Sequence, residues 1–284
     1  MPAVSYKDIP VYLSTSQSVS LDGTFTPLLA QNISVQLTNK LRPNRTLTSS
    51  QSTQFERYGI DGAMDASISV AFYVETSGLG AKYCLETLTG NTSGSLIIGG
   101  VPFNNCFLNS ATVNIQPFTP VIINADFICY NVAVTGATWA RQRNGNLRTI
   151  TEIPNVSNYT QKIVYGHSVS LINGTGLSET TRDAITYSIS CGRTPRYTLG
   201  GINADTVFLD SLEKDISIKS TNITQFINYT GYDDAISIGL KDETGKNALS
   251  SDIQFSAARI LGQSLSASEG DTLVAEIKAK EVVL

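Results

Sequence analysis

The sequence predicts an all-β, mainly antiparallel protein, built as two tandem β-sandwich domains with at most one or two short helices. Apolar and polar residues alternate with period two along most of the chain. Helical spacing is confined to brief stretches, and an ordered series of short blocks recurs about 150 residues downstream. At 284 residues the chain is long enough for about two domains of ordinary size.

Taken in order, the first strand signal covers residues 31–38, followed by a connecting loop over 39–58 and a strand over 66–75. In that strand Ile68, Val70, Phe72 and Val74 point one way and Ser67, Ser69, Ala71 and Tyr73 the other, as a half-buried strand requires. Leu79–Leu88 (LGAKYCLETL) sets Leu79, Tyr83 and Leu88 near one helical face, and Glu179–Ala184 adds at most one turn. Alternation resumes at Val121/Ile123/Ala125/Phe127, after the turn Gln116-Pro117-Phe118-Thr119-Pro120. It returns at Ile216/Ile218, at Ile236/Ile238/Leu240 and at Leu273/Ala275/Ile277, the last preceded by Ser268-Glu269-Gly270-Asp271.

The repeated blocks keep their order. Ser18–Leu21 returns as Ser168–Leu171, and Ile33, Pro43 and Thr46-Leu47 return as Ile185, Pro195 and Thr198-Leu199. Ile68-Ser69-Val70 returns as Ile216-Ser217-Ile218, and Ile123/Ala125/Phe127 as Leu273/Ala275/Ile277, with every offset between 148 and 152. Four blocks in one order at nearly one spacing predict tandem copies of a domain: 1–135 and 151–284, joined by a connector at 136–150 that carries Arg141, Arg143 and Arg148. Phe107-Leu108-Asn109-Ser110 also resembles Phe208-Leu209-Asp210-Ser211, but it has no neighbours at the same offset.

Composition excludes several classes of function. Charged residues are 15% of the chain, so Ser, Thr, Asn and Gln make up much of the polar surface, which suits packing against copies of itself. The net charge is −4, divided evenly between the halves, and neither half is basic enough for a dedicated nucleic-acid binder. No apolar run approaches the roughly 18 residues of a membrane span, and the first thirty residues hold Lys7, Asp8 and Asp22 without an apolar core, so cytosolic synthesis and no membrane are expected. Cys84, Cys106, Cys129 and Cys191 lack metal-ligand spacing, with His167 alone to join them, and read as buried structural thiols. The eight Asn-x-Ser/Thr sequons follow from composition.

No hydrolase, metalloprotease or phosphate-loop motif is present. Asp233-Asp234 and Asp61/Asp65 are carboxylate pairs beside turn residues, where turn chemistry accounts for them. Neither an enzyme nor a cofactor is expected. Arg42-Pro43-Asn44-Arg45 and Arg193-Thr194-Pro195-Arg196 occupy equivalent places in the two copies, opening segments 39–58 and 191–212 that read as irregular. They are either solvated turns or arms that lay guanidinium groups on acidic patches of an adjacent subunit.

The stretch LIIGGVPFNNCFLNSATVNIQPFTPVIINADFICY, Leu96 to Tyr130, resembles the closing segment of tailed-bacteriophage tail tube proteins. It has an Ile-Gly-Gly strand, an aromatic-Leu-x-Ser step and a hairpin around Pro-Phe-x-Pro-Val. Strand 31–38, loop 39–58 and strand 66–75 are similar to that family's opening hairpin. In the second copy Ser-Glu-Gly-Asp replaces Pro-Phe-x-Pro.

The resemblance implies tail-tube-like β-sandwich domains whose inner sheets join into a barrel, three duplicated chains imitating a six-domain ring, and rings stacking into the conduit for DNA ejection. It implies a virion protein assembled in the host cytoplasm, partnered by itself, by other phage tail proteins and by viral DNA that passes without specific binding. On this reading Arg42, Arg45, Arg193 and Arg196 contact the next ring, and Ser67, Ser69 and Ser217 face the lumen. A tube initiator, neck or baseplate ring protein would share the fold. A carbohydrate-binding β-sandwich, with Tyr73, Trp139 and Tyr159 stacking on sugars, is the alternative of another class.

Overall fold

A computed structural model describes residues 11–15, 25–38, 41–46, 55–60, 65–99, 101–130, 163–166, 170–173, 182–199, 204–221, 234–239, 253–267 and 273–281. The proposed connector, 136–150, lies outside them. The first half contributes β1 (Val11–Ser14), β2 (Thr26–Leu28), β3 (Ala30–Thr38), β4 (Leu41–Thr46), β5 (Phe55–Ile60), β6 (Asp65–Tyr73), β7 (Gly94–Ile98), β8 (Val101–Ile115) and β9 (Ile122–Cys129). The second contributes β10 (Ser170–Asn173), β11 (Arg182–Arg196), β12 (Thr206–Ser220), β13 (Asp234–Gly239), β14 (Ile253–Ser266) and β15 (Val274–Glu281). The architecture is all-β, antiparallel and sandwich-like, as the alternation predicts. In β6 Ala66, Ile68, Val70 and Phe72 are buried while Ser67 and Ser69 are exposed, and Ile123, Ala125 and Phe127 of β9 and Ala275, Ile277 and Ala279 of β15 repeat the pattern.

The one helix, α1 (Leu79–Lys82), is a single turn that runs on into a π turn over Tyr83–Thr87. Gly78 leads in with φ 62°, and a Cβ on Gly80 would lie 2.5 Å from the Leu28 side chain, so both glycines answer a backbone need. The π winding closes with Leu88 N–H donating to the Tyr83 carbonyl at 2.9 Å and shifts the helical phase. Ala81, Cys84, Leu85 and Leu88 therefore enter the core, and Leu79, expected on the inner face, is exposed. Glu179–Ala184 does not supply a further described helical turn, since Arg182–Ala184 begin β11.

The described residues of the segments expected to be irregular form regular ribbons. β4 pairs with β5 in a separate two-stranded sheet, and the outer parts of β11 and β12 pair from Arg193↔Leu209 to Arg196↔Thr206. Pro43 and Pro195 sit in these ribbons, opposite Tyr58 and Val207.

All other strands form one 13-stranded sheet. Within it the first half pairs in the order β1-β7-β8-β9-β6-β3 and the second in the order β10-β13-β14-β15-β12-β11. Ile33 faces Val70 across β3–β6, and Ile185 faces Ile218 across β11–β12, the same residues that repeat in the sequence. The register shift between Leu108 and Ser110, opposite Phe127 and Asp126, recurs between Ile260 and Gly262, opposite Ala279 and Lys278, each residue 152 further on. The Ser18–Leu21 block lies outside the described residues; the strand that stands where β10 stands is β1.

The halves meet where Ser110–Ile115 of β8 pairs with Ile185–Ser190 of β11. Their apolar faces merge into one core that includes Leu13, Phe72, Phe127, Tyr187, Ile218 and Ile277. Val164 is buried where β6 ends and β9 begins, both of the first half: its N–H donates to the Val74 carbonyl and its carbonyl accepts from Val121 N–H, both at 2.9 Å.

Candidate functional site

Eight strands run side by side as β3, β6, β9, β8, β11, β12, β15 and β14, and the face they turn from the core is polar. Ser67, Ser69 and Ser217, the expected lumen residues, all lie on it, the first two exposed and the third half-buried. The face is bound together by short side chains. Ser69 Oγ donates to Asp126 Oδ1 at 2.6 Å and Ser110 Oγ to Asp126 Oδ2 at 2.8 Å, so one carboxylate ties β6, β9 and β8. Ser217 Oγ donates to Glu276 Oε1 at 2.6 Å, the same device in the second half. At the junction Thr186 Oγ1 donates to Asn114 Oδ1 at 3.3 Å.

Asp126 and Glu276 escaped the sequence reading. Their signal is an acid on the outward positions of two corresponding strands, Asn-Ala-Asp and Ala-Glu-Ile, within runs chosen for their apolar partners. Lysines meet acids nearby, Lys280 with Glu213 at 2.9 Å and Lys278 with Glu276 at 3.7 Å, and the hydrogen bond to Glu213 holds Lys280 above its ordinary pKa. On the core-facing side of the same strands Lys214 meets Glu281 at 2.5 Å.

The four arginines separate. Arg193 is committed inside the chain: Nε donates to the Leu108 carbonyl at 2.7 Å, and Nη2 to those of Leu88 at 3.1 Å and Gly90 at 2.7 Å. Its guanidinium lies 5.3 Å from the Phe107 ring centroid, and Phe107 packs against Tyr130. Burial pushes the guanidinium pKa down and the adjacent Cys191 thiol up. Ala204 packs with Phe107 and Tyr130, with Val207 alongside, and Leu209 N–H donates to Asn91 Oδ1 at 3.2 Å. The second half's arm is thus clamped to the first half, and the expected free arm is, at Arg193, a clasp between them.

Arg196 is exposed near the tip, where its carbonyl accepts from Asp205 N–H at 2.9 Å, with Tyr197, Leu199 and Phe208 exposed around it. Arg42 and Arg45 stand on β4 opposite Gly59 and Glu56, and their side chains lie outside the described residues.

Of the aromatic candidates, Tyr73 is half-buried and Trp139 and Tyr159 lie outside the described residues, as do His167, Asp61 and Asp233. All four cysteines are buried and free; burial pushes Cys84 up to about 12 and Cys129, opposite Cys106 on the β8–β9 ladder, well above its usual range. Among the described residues no cluster of three or more His, Cys, Asp or Glu is placed to hold a metal, and no helix is long and apolar enough to cross a membrane. One acid stands apart: Glu75, buried beside the bridge to Ile163, is pushed up to about 7 by burial, against hydrogen bonds from Leu29 and Ser77 that pull it down.

Compared with known proteins, the chain matches no family model and no curated sequence.

Proposed function

We propose that this chain is a structural virion protein, the subunit of a bacteriophage tail tube, which closes into rings that stack around the path of DNA ejection. The observation that carries this reading is the doubled six-strand unit, joined within the chain through β8 and β11, with the outer part of β14 and β3, their counterparts, at the two ends of the eight-strand run among the described residues. Such ends are complementary rather than identical, so copies add head to tail. A head-to-tail contact either closes into a ring or continues as a filament, and closure removes the open edges that expose a sheet to aggregation.

Three chains of eight strands make a 24-stranded barrel. With strands about 4.8 Å apart and tilted near 40°, its backbone is roughly 40–50 Å across, a wide channel rather than a packed core. The face assigned to the lumen mixes Ser, Thr and Asn with acids tied down by hydroxyls and, in the second half, lysines set against acids, a surface with little net positive charge to grip phosphates. The ribbons bearing Arg42, Arg45 and Arg196, with Tyr197, Leu199 and Phe208 at one tip, are the proposed contacts with the next ring. Other tail proteins cap the stack, and no catalysis or cofactor is involved.

Electron microscopy of the purified protein tests this. Long tubes support the reading, and isolated rings would make it a tube initiator, neck or baseplate ring. A protomer that stays single at every concentration overturns it, and a glycan array then tests the carbohydrate-binding alternative.

A further inference from the structure

We infer that the seam between neighbouring copies is β14 of one chain lying antiparallel against β3 of the next, with Ser34 opposite Ser266 and Gln36 opposite Ser264. The inference rests on the ring reading and adds to it the strands and their register.

The internal junction supplies the pattern. Thr186 faces Asn114 and Ser188 faces Thr112 across β11–β8. The bulge that fixes phase in β8 recurs in β14 exactly one repeat, 152 residues, later, so Thr112 and Asn114 correspond to Ser264 and Ser266. Ile185 corresponds to Ile33 at the same offset, with matching partners in β12 and β6, so Thr186 and Ser188 correspond to Ser34 and Gln36. Transferring the β8–β11 pairing to these residues yields one register and no other.

The two ends also show what the seam covers. The first part of β14 pairs with β13 and its outer part with β15, while β3 pairs with β6. Residues 261–267 are all exposed, and Leu265 is 53% exposed. Its counterpart at the internal junction, Val113, is 0% exposed opposite Tyr187. In the inferred register Leu265 meets Val35, a half-buried residue already packed against the core. The seam thus buries Leu265 as the junction buries Val113. The polar side agrees as well, since Thr186 hydrogen-bonds Asn114 where Ser34 would face Ser266.

Disulfide trapping tests this on the full chain. Directly opposed residues on antiparallel strands have Cβ atoms about 4.5–5.5 Å apart, close enough to bridge with small adjustment. Ser34→Cys/Ser266→Cys, assembled and then oxidised with copper phenanthroline, is expected to give reducible chains closed at the ring's chain number on denaturing gels. The four native thiols are buried and contribute little background. Ser34→Cys/Gly262→Cys, four residues out of register and roughly 13 Å apart, is expected to stay uncrosslinked; a Cβ at Gly262 meets nothing within 4 Å. Mixing the single variants Ser34→Cys and Ser266→Cys is expected to stop at covalent dimers, which also serves if the double variant folds poorly. Rings or tubes that form without the Ser34–Ser266 crosslink, or that crosslink equally well out of register, overturn the register and leave the ring reading standing. If the wild-type chain forms no ring, both fall.

Discussion

At the residue scale, Arg193 and Glu75 make opposite predictions about the protomer. Arg193 satisfies three carbonyls from two elements of the first half and covers Phe107. Arg193→Ala is expected to cost the unassembled chain about 2–3 kcal/mol in urea unfolding, and Arg193→Lys nearly as much, because an ammonium cannot reproduce the planar fork. An unchanged protomer that no longer stacks would return Arg193 to the ring–ring contact the sequence suggested. Glu75 titrates near 7 in the fold, against 4.5 ordinarily, because burial favours its neutral form. Between those values the folded chain holds a proton that the unfolded chain has released, so stability falls as pH rises through the window and levels off above 7. Glu75→Gln is expected to flatten that dependence, with a gain on the order of 2 kcal/mol at pH 8 and little at pH 4, read from thermal unfolding across pH. Both residues show why the site was half legible. Ser67, Ser69 and Ser217 could be placed on the outward face because alternation sets a strand's two faces, whereas a guanidinium's partners depend on which carbonyls the fold brings to it.

At the element scale, the strands that alternate were readable, and the departures have physical causes. Leu79 was placed inward by a 3.6-residue period that the π turn interrupts. The arms read as irregular because Arg-Pro-Asn-Arg carries turn residues, yet a ribbon paired in its own two-stranded sheet needs only pairing, not apolar alternation. Since among the described residues β4 and β5 pair only with each other, replacing 39–62 with a short Gly-Ser linker is expected to leave the protomer's circular dichroism and melting largely intact. The same change, or Arg42→Glu with Arg45→Glu, is expected to leave rings that no longer stack in electron micrographs. Tubes of unaltered length would remove the arm from the ring–ring contact. The repeated blocks at Ile33, Val70, Ile185 and Ile218 fall on paired positions, Ile33 opposite Val70 and Ile185 opposite Ile218, where strand register constrains the spacing more than loop sequence does. The β8–β11 junction was not legible, because a strand pairing between residues some 75 positions apart leaves no local mark on either partner.

At the scale of the whole molecule, the proposed tube makes a prediction about the sheet's outer face, which in that reading meets the DNA. A channel lined by cations would hold the duplex through released counterions, with affinity falling steeply as salt rises. In the first half that face carries Asp126 among serines, threonines and asparagines, and in the second half the lysines Lys278 and Lys280 lie against Glu276 and Glu213. Positive potential is therefore local and largely cancelled, which suits passage without retention. Ser67 and Asn124 are exposed on this face, so Ser67→Lys with Asn124→Lys adds two cations per chain without removing Asp126. Wild-type tubes are expected to retain no duplex DNA on a filter at 50 mM salt. The double variant is expected to retain it there and to release it by about 200 mM, as a purely electrostatic contact would. Retention by wild-type tubes, or an indifferent double variant whose tubes look normal, would mean that this face does not line the channel.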